Sequence, residues 1–474
     1  MRHVASLVVL SWLGGCSLIY NPSNIATQQD GAPDAPFDAP IDSDPTMISV
    51  TGVRPLAITE GQGANGSRPA VIVIEGTNFV RANTTVTILA APAAAKTPIL
   101  TVDNTKLDVS ADGFFITVPV SIPVDERAPA VGLKQGDSIA LDITVKQDVP
   151  GGTVMKTLPG VLKVTGLDEL KTGGAIAGGA EHVYSFVEVT TPITAVAGSM
   201  MPVIIRSTSS LSVVAFDVSG SGQTGGPEGG LGGMSGSLVA AATPGTGPAG
   251  GQVSGGAGGF TADVTVYSLG GIFRGSGGAG ATAALGGGNG GGGGGTIMFV
   301  AGGNLSTGAG TSIGGAPTGS GGGGSGGVIV LRAGGDIATG TMTLNGTGSG
   351  ATLGATGKLR YDAGGTATLM GSPTGFRGPQ FVAPPLVVNA EAPMLQVVAT
   401  PQAMIKYYIT NAAGTMTSNA YPVTVPDSGP ATVVNGTDGP DRLSEGLNRI
   451  CLVAGAGDLM STTRNCIDIA YIGH

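Results

Sequence analysis

Histidine and cysteine, which often bind metals or take part in catalysis, are rare in this sequence of 474 residues. Histidine does both most often near neutral pH, and the chain has three, His3, His182 and His474. His3 precedes an apolar run typical of a cleaved export signal, and the other two lie far apart in sequence. We find no His-Glu-x-x-His motif, no cysteine pair with metal-ligand spacing and no Ser-x-x-Lys motif. The sequence therefore predicts neither a metal site nor a cofactor.

Three aspartates in the glycine-rich middle, Asp217, Asp336 and Asp362, are the first candidates for catalysis. Paired carboxylates serve as acid and base in the cleavage of glycosidic bonds. β-Helical polysaccharide lyases and hydrolases place such carboxylates on one face of the coil, so a polysaccharide-active enzyme stays open as the alternative function. Asp336 has Asn304 and Ser210 as its repeat counterparts. This exchange among turn-forming residues predicts a solvent-facing corner there.

The strands that must carry these residues repeat along the chain. The runs 295–305 and 327–337 both contain Ala-Gly-Gly after an apolar, β-branched segment, with an offset of 32 residues. A third run, 203–220, precedes the second of these at an offset of 126 residues. A fixed repeat indicates stacked units that bury their apolar faces against one another. We expect an inner stack of large side chains: Ile297, Phe299, Ile329 and Leu331.

Glycine separates the apolar runs from Gly173 to Gly378. Glycine alone would indicate a flexible linker, but the mean hydropathy of the chain is +0.30 and disordered segments have low hydropathy. Glycine adopts the φ > 0 that tight corners need, and small residues let neighbouring coils approach closely. We predict a glycine-rich, β-helix-like solenoid at 168–378, with loose loops at the poly-glycine runs. A glycine-rich sandwich or barrel, or disorder, is the alternative.

The amino terminus is typical of an exported protein. A basic start is followed by an apolar run of about ten residues, too short to span a bilayer, which takes about 20. The ending Leu13-Gly-Gly-Cys16 resembles a bacterial lipobox. The resemblance implies a signal peptide at 1–15, lipidation of Cys16 and, since Ser17 follows it, sorting to the outer membrane. Repeated Asp-Ala-Pro predicts an extended tether at 16–45, because proline disfavours helix and sheet.

The segment 46–167 contains five to seven short strands with turn signals between them, which indicates a β-sandwich. Three of its motifs resemble the IPT/TIG family of immunoglobulin-like domains: Val53-Arg-Pro55, Val73-Ile-Glu-Gly-Thr-Asn-Phe79 and Thr84-Thr-Val86. The resemblance implies an Ig-like domain that acts as a spacer or binding module.

The segment 379–474 contains further strands, and Leu443–Ile450 resembles the penultimate hairpin of bacterial Ig-like domains. Two cysteines, Cys451 and Cys466, remain once Cys16 is lipidated. An even number of remaining cysteines in an exported protein predicts a disulfide between them. The alternative is two free thiols. Gly436–Leu443 nearly matches a calcium-binding nonapeptide of the RTX type. A single imperfect copy favours an ordinary loop, because adjacent copies share the ion.

Composition limits the classes of partner. The net charge is −9 and charged residues make up 11% of the chain, so a basic surface for nucleic acid is not expected. We predict an all-β protein with an Ig-like sandwich, a β-solenoid and a second Ig-like sandwich. Its expected role is non-enzymatic and structural or adhesive. It would be exported, held by its lipid at the outer membrane or cell surface, and would bind a polysaccharide or a surface protein.

Overall fold

The computed structural model describes residues 47–90, 100–122, 133–196, 198–237, 240–252, 254–259, 275–371, 375–410, 421–433, 442–453 and 465–473. The signal peptide, Cys16, the tether and His474 lie outside these residues, and so does most of the nonapeptide-like segment. The regular secondary structure of the described residues is almost wholly β-strand. Its helices are single 3-10 turns at Arg81–Asn83, Asn104–Lys106, Ala283–Leu285 and Gly350–Thr352. The all-β prediction is confirmed.

Nine strands of the first unit form two sheets that share one hydrophobic core. Alternation of buried and exposed residues, as along Thr84–Ala90, places one face of each sheet on that core. One sheet has the order β1-β3-β7-β5, with β6 also paired to β7, and the other has the order β2-β9-β8-β4. The strands are β1 (Ser49–Arg54), β2 (Ala57–Thr59), β3 (Ala70–Thr77), β4 (Thr84–Ala90), β5 (Thr101–Val102), β6 (Asp108–Val109), β7 (Phe115–Ser121), β8 (Ser138–Val149) and β9 (Gly152–Thr165).

The middle of the chain forms two parallel sheets, and the chain passes back and forth between them, at some passes with two consecutive strands in the first sheet. The first, called the outer sheet here, contains β10 (Glu169–Leu170), β11 (Gly174–Ile176), β13 (Phe186–Val189), β14 (Ile193–Ala195), β16 (Leu211–Asp217), β18 (Leu305–Thr311), β20 (Ile337–Thr339), β21 (Met342–Thr343) and β23 (Ala367–Leu369). The second, the inner sheet, contains β12 (Glu181–Tyr184), β15 (Val203–Ser207), β17 (Thr296–Ala301), β19 (Val328–Ala333), β22 (Lys358–Ala363) and β24 (Phe376–Arg377).

The register of these sheets reproduces the sequence repeat. Ala301 pairs with Ala333, which is the predicted offset of 32 residues. Arg206 pairs with Val300, and Val300 with Arg332, so the run at 203–220 lies 126 residues before its counterpart, as predicted. The expected inner stack is also confirmed, because Ile297, Phe299, Ile329 and Leu331 are fully buried in one core between the sheets.

The glycine-rich segments pack beside this core as extended chains that bond sideways to one another. Every backbone N–H from Gly290 to Gly295 donates a hydrogen bond, and the acceptors recur every third residue. Residues 290 and 293 donate to carbonyls in 230–233, residues 291 and 294 to carbonyls in 322–325, and residues 292 and 295 to carbonyls in 218–222. Three residues per turn without internal hydrogen bonds is the geometry of a polyproline II helix. We therefore interpret these segments as laterally bonded helices of that type.

We call this assembly the glycine body; it comprises the described residues of 219–259, 275–295, 312–327 and 345–357. The expectation of loose loops at the poly-glycine runs is wrong, because 290–295 and 321–327 are buried and hydrogen-bonded. The reason for glycine is close approach. A Cβ on Gly324 would collide with the carbonyl oxygen of Gly292. The φ > 0 explanation applies at turns such as those containing Gly286 and Gly319, and not in the runs 290–295 and 321–327.

The last unit has two sheets, with orders β25-β27-β30 and β26-β32-β31-β28-β29. All pairs are antiparallel except β26 with β32. The strands are β25 (Gln380–Phe381), β26 (Val387–Val388), β27 (Leu395–Val398), β28 (Met404–Thr410), β29 (Tyr421–Thr424), β30 (Ala431–Val433), β31 (Gly446–Val453) and β32 (Asn465–Tyr471).

The first and last units touch each other although they lie at opposite ends of the described chain. Val71 and Val73 pack with Ala470 in a small apolar cluster. The guanidinium of Arg68 donates hydrogen bonds to the carbonyl oxygens of Pro384, Pro385 and Asp468 at 2.5–2.8 Å. The first unit also contacts the parallel sheets, where the Thr208 hydroxyl donates to the Glu60 carbonyl oxygen. The described residues of the three parts therefore pack as one body.

Candidate functional site

The three candidate catalytic aspartates have different surroundings. Asp217 ends β16 and is exposed, Asp336 lies in the turn between β19 and β20, and Asp362 lies within β22 and is fully buried. Each carboxylate is engaged by neighbours of its own, which are described next.

Asp362 is clamped between two arginines. Its Oδ2 accepts hydrogen bonds from the Arg332 guanidinium at 2.7 and 2.9 Å, and Arg360 bonds both carboxylate oxygens at 2.9 Å. All three side chains are at least 95% buried. Burial alone would raise the pKa of Asp362, but the two positive charges and their hydrogen bonds hold it below its usual range. A carboxylate shielded in this way serves packing, because no reactant reaches it.

Asp336 belongs to a ladder of corner residues. Its backbone N–H donates to the Asn304 side-chain oxygen at 2.9 Å, and its own Oδ1 accepts from the N–H and hydroxyl of Thr366. These hydrogen bonds lower the pKa of the exposed Asp336 carboxyl. Corresponding turns of successive repeats are thus tied together through one side-chain position. The prediction of a solvent-facing corner is confirmed.

Asp217 caps the end of its own strand. Its Oδ1 accepts the backbone N–H of Ser219 at 2.9 Å. Although Asp217 is exposed as a residue, partial desolvation of its carboxylate alone would raise its pKa, but hydrogen bonds from Ser219 and Thr311 outweigh this effect and lower the pKa. The strand position pairs with Thr311 of β18, so the carboxylate stands in a row of small hydroxyl residues.

His182, the one histidine among the described residues, lies on β12 with its Nε2 3.1 Å from the carbonyl oxygen of Ala177. The described residues contain no group of three or more His, Cys, Asp or Glu side chains placed to hold a metal ion.

Cys451 and Cys466 form a disulfide, as predicted. They are directly opposite each other on the antiparallel strands β31 and β32. This pairing brings the two sulfur atoms together across neighbouring strands, and the alternative of two free thiols is wrong. Cys16 lies outside the described residues.

The glycine body offers a surface of a different kind, since Glu228 is the one charged residue in the part of it that the structure describes. Its turns carry serine, threonine, alanine and two exposed leucines, Leu285 and Leu353. At one end an open depression of about 400 Å³ is lined by residues 254–256, Leu285, Ser320 and 351–352. This end of the glycine body is the candidate binding site.

Sequence reasoning missed the glycine body, although a signal for it exists. The stretches Gly229-Gly-Leu-Gly-Gly-Met234 and Gly255-Gly-Ala-Gly-Gly259 repeat glycine in a three-residue period. That period matches a helix of three residues per turn. It places Leu231 and Met234 on one exposed edge, with 47% and 66% of their surface accessible.

The chain matches no protein-family model, no curated protein and no solved structure with which it was compared. Within the residues that the structure describes, no helix has the length and apolar character of a membrane span.

Proposed function

We propose that this chain is a non-enzymatic bacterial surface scaffold, anchored by lipid, whose role is structural or adhesive. The observation that carries the proposal is the glycine body, a hydrogen-bonded, nearly charge-free assembly that presents hydroxyls and small apolar side chains. Such a surface suits an uncharged partner, because it offers neither ionic contacts nor long flexible side chains to be ordered on binding. The structural roles of Asp336 and Asp362 also favour a scaffold over a hydrolase.

The proposal includes the identity of the three parts. The first unit is an IPT/TIG-like immunoglobulin domain, supported by its two sheets around one core. The middle is a β-helix-like solenoid, supported by a chain that passes back and forth between two parallel sheets with a repeating register. The last unit is a second Ig-like domain, supported by its antiparallel sheets and disulfide. The partner is a polysaccharide or another surface.

The adhesive role is tested by incubating the full chain with particles of uncharged and of anionic polysaccharides. We expect retention on an uncharged polysaccharide that does not fall as salt is raised, because contacts without charge are not screened. A parallel assay for released reducing ends should stay at background. Release of reducing ends, or retention only on anionic particles at low salt, would refute the proposal.

Anchoring is tested by exchange of the first cysteine. We expect Cys16→Ser to abolish fatty-acid labelling and to move the protein from the membrane fraction to the soluble fraction. The reason is that acyl chains contribute about 0.8 kcal/mol per buried CH₂, and serine has no thiol to accept them. Ser17→Asp serves as the matched control, which should keep the label but retain the protein at the inner membrane. Labelling of Cys16→Ser would disprove the anchor.

A further inference from the structure

We propose that the turns at one end of the glycine body form the ligand-binding site, and that the ligand is an uncharged polysaccharide. This inference rests on the proposed adhesive function and assigns it to a particular surface. The site is the depression lined by residues 254–256, Leu285, Ser320 and 351–352, which we call the apical site.

Four separate turns converge on the apical site although they are as much as 98 residues apart in sequence. Each turn links extended glycine segments, and glycines with φ > 0 make the reversals possible, among them Gly255, Gly286, Gly319 and Gly350. The interior of the glycine body is too crowded for a Cβ. Residues with larger side chains are found at these turns instead. Binding residues are commonly found on such loops of a rigid scaffold.

Hydrogen bonds hold the turns in fixed positions relative to one another. The N–H of Ser320 donates to the Gly287 carbonyl oxygen at 2.8 Å, and the N–H of Thr282 donates to the Ser254 hydroxyl oxygen at 2.8 Å. Gly323 donates to the carbonyl oxygen of Thr352 at 2.8 Å. A site held in this way loses little conformational entropy when a ligand binds.

The chemistry of the apical site matches that of a neutral sugar chain. Ser254, Ser320 and Thr352 line it together with Leu285, which keeps 55% of its surface exposed to solvent. Binding sites of this type combine apolar contact area with a few polar groups that fix orientation. A pyranose ring presents C–H faces for the leucine and hydroxyls for the serines. None of the lining residues is charged, so an anionic polysaccharide gains no ion pair there.

The experiment measures binding of the full chain to soluble dextran, mannan and β-glucan, with alginate as the anionic comparison, by affinity electrophoresis. We expect Leu285→Ala to weaken binding to a neutral polysaccharide by about tenfold, the loss expected for the contact area of one leucine. Ser320→Glu should weaken it further by bringing an unpaired charge to the site.

Two control variants locate the effect. Leu353→Ala removes a leucine of nearly equal exposure, 53%, that does not line the apical site, and it should bind as the unaltered chain does. Ser306→Glu places a charge on the exposed face of the outer sheet, and it should also leave binding unchanged. Equal thermal unfolding midpoints of all four variants show that each has folded.

The outcomes separate this inference from the proposed function. Loss of binding in Leu285→Ala and Ser320→Glu alone supports the apical site. Normal binding by both of them, with loss in Ser306→Glu, refutes the apical site and leaves an adhesive role on the outer sheet. If the unaltered chain binds none of the polysaccharides, both the apical site and the proposed polysaccharide ligand are wrong.

Discussion

The side chain of Asp362 illustrates how little the type of a residue says about its role. An aspartate in a glycine-rich coil is compatible with catalysis, but this one is fully buried between Arg332 and Arg360. Its surroundings depend on residues beyond the repeat, since Gly378 lies against both Asp362 and Arg360. The sequence pattern of a strand cannot reveal which later segment will cover it. Asp336 was predictable as a corner residue because its repeat counterparts are also turn formers.

Replacement of Asp362 tests the buried ion cluster. We expect Asp362→Asn to lower the free energy of unfolding by about 3 kcal/mol at pH 7, because it removes the negative charge that two buried guanidinium groups face. Chemical denaturation measures the change. As the matched control, Glu391→Gln breaks the exposed pair with Arg442, and it should cost less than about 1 kcal/mol. An equal cost for the two variants would contradict the account.

The same residue predicts a pH dependence with a defined sign. The pKa of Asp362 is lowered in the folded state, so its contribution to stability is fully present above the unfolded-state value of about 3.9. That contribution is lost as pH falls from there through the folded-state pKa. The difference in unfolding free energy between the unaltered chain and Asp362→Asn should therefore narrow in acid. If this difference in unfolding free energy widened below pH 4, the prediction would be wrong.

Replacement of Gly324 tests whether the glycine body contains glycine because a larger residue does not fit. We expect Gly324→Ala to destabilise the fold by at least about 2 kcal/mol, because the added Cβ meets the backbone of Gly292 and overpacked sites cannot relax without moving the backbone. Gly259→Ala is the matched control, since a Cβ there has ordinary contacts at 3.5 Å or more. Its thermal unfolding midpoint should stay close to that of the unaltered chain. Equal effects would argue against close approach as the cause.

At the scale of elements, repeating strands were predictable and glycine helices were not. Apolar, β-branched runs contain a period that aligns Ala301 with Ala333, and the strand register follows it. In the run 290–295 every residue is glycine, so no side-chain pattern distinguishes an ordered segment from a flexible one. The order comes from backbone hydrogen bonds to segments that are distant in sequence, as between Gly291 and Gly322.

The hairpin of β31 and β32 gives a prediction for the disulfide. Cys451 and Cys466 are 15 residues apart, and closing a loop of that length contributes about 3 kcal/mol by restricting the unfolded chain. We expect the double replacement Cys451→Ala, Cys466→Ala to lower the thermal unfolding midpoint of the last unit. A reducing agent should lower the midpoint of the unaltered chain and leave that of the double variant unchanged. If the reducing agent also lowered the midpoint of the double variant, the change in the unaltered chain would not come from this disulfide.

At the scale of the whole molecule, the sequence predicts a series of parts but not their packing. Arg68 bonds to carbonyl oxygens more than 300 residues away, and Val71 and Val73 share a cluster with Ala470. Such contacts depend on surface shape, which no local motif encodes. Because the first and last units rest against each other, and because the glycine body is hydrogen-bonded throughout the runs 290–295 and 321–327, the middle of the chain is not a flexible connector between two domains.

Hydrogen exchange of backbone amides tests this account most directly. Every N–H from Gly290 to Gly295, and every one from Gly321 to Gly327, donates a hydrogen bond within the described structure. We therefore predict that peptides covering both runs exchange as slowly as the core strands β17 and β19, since exchange requires those bonds to open. Exchange at the rate of an unstructured chain in these two runs, with slow exchange in the strands, would contradict the existence of an ordered glycine body.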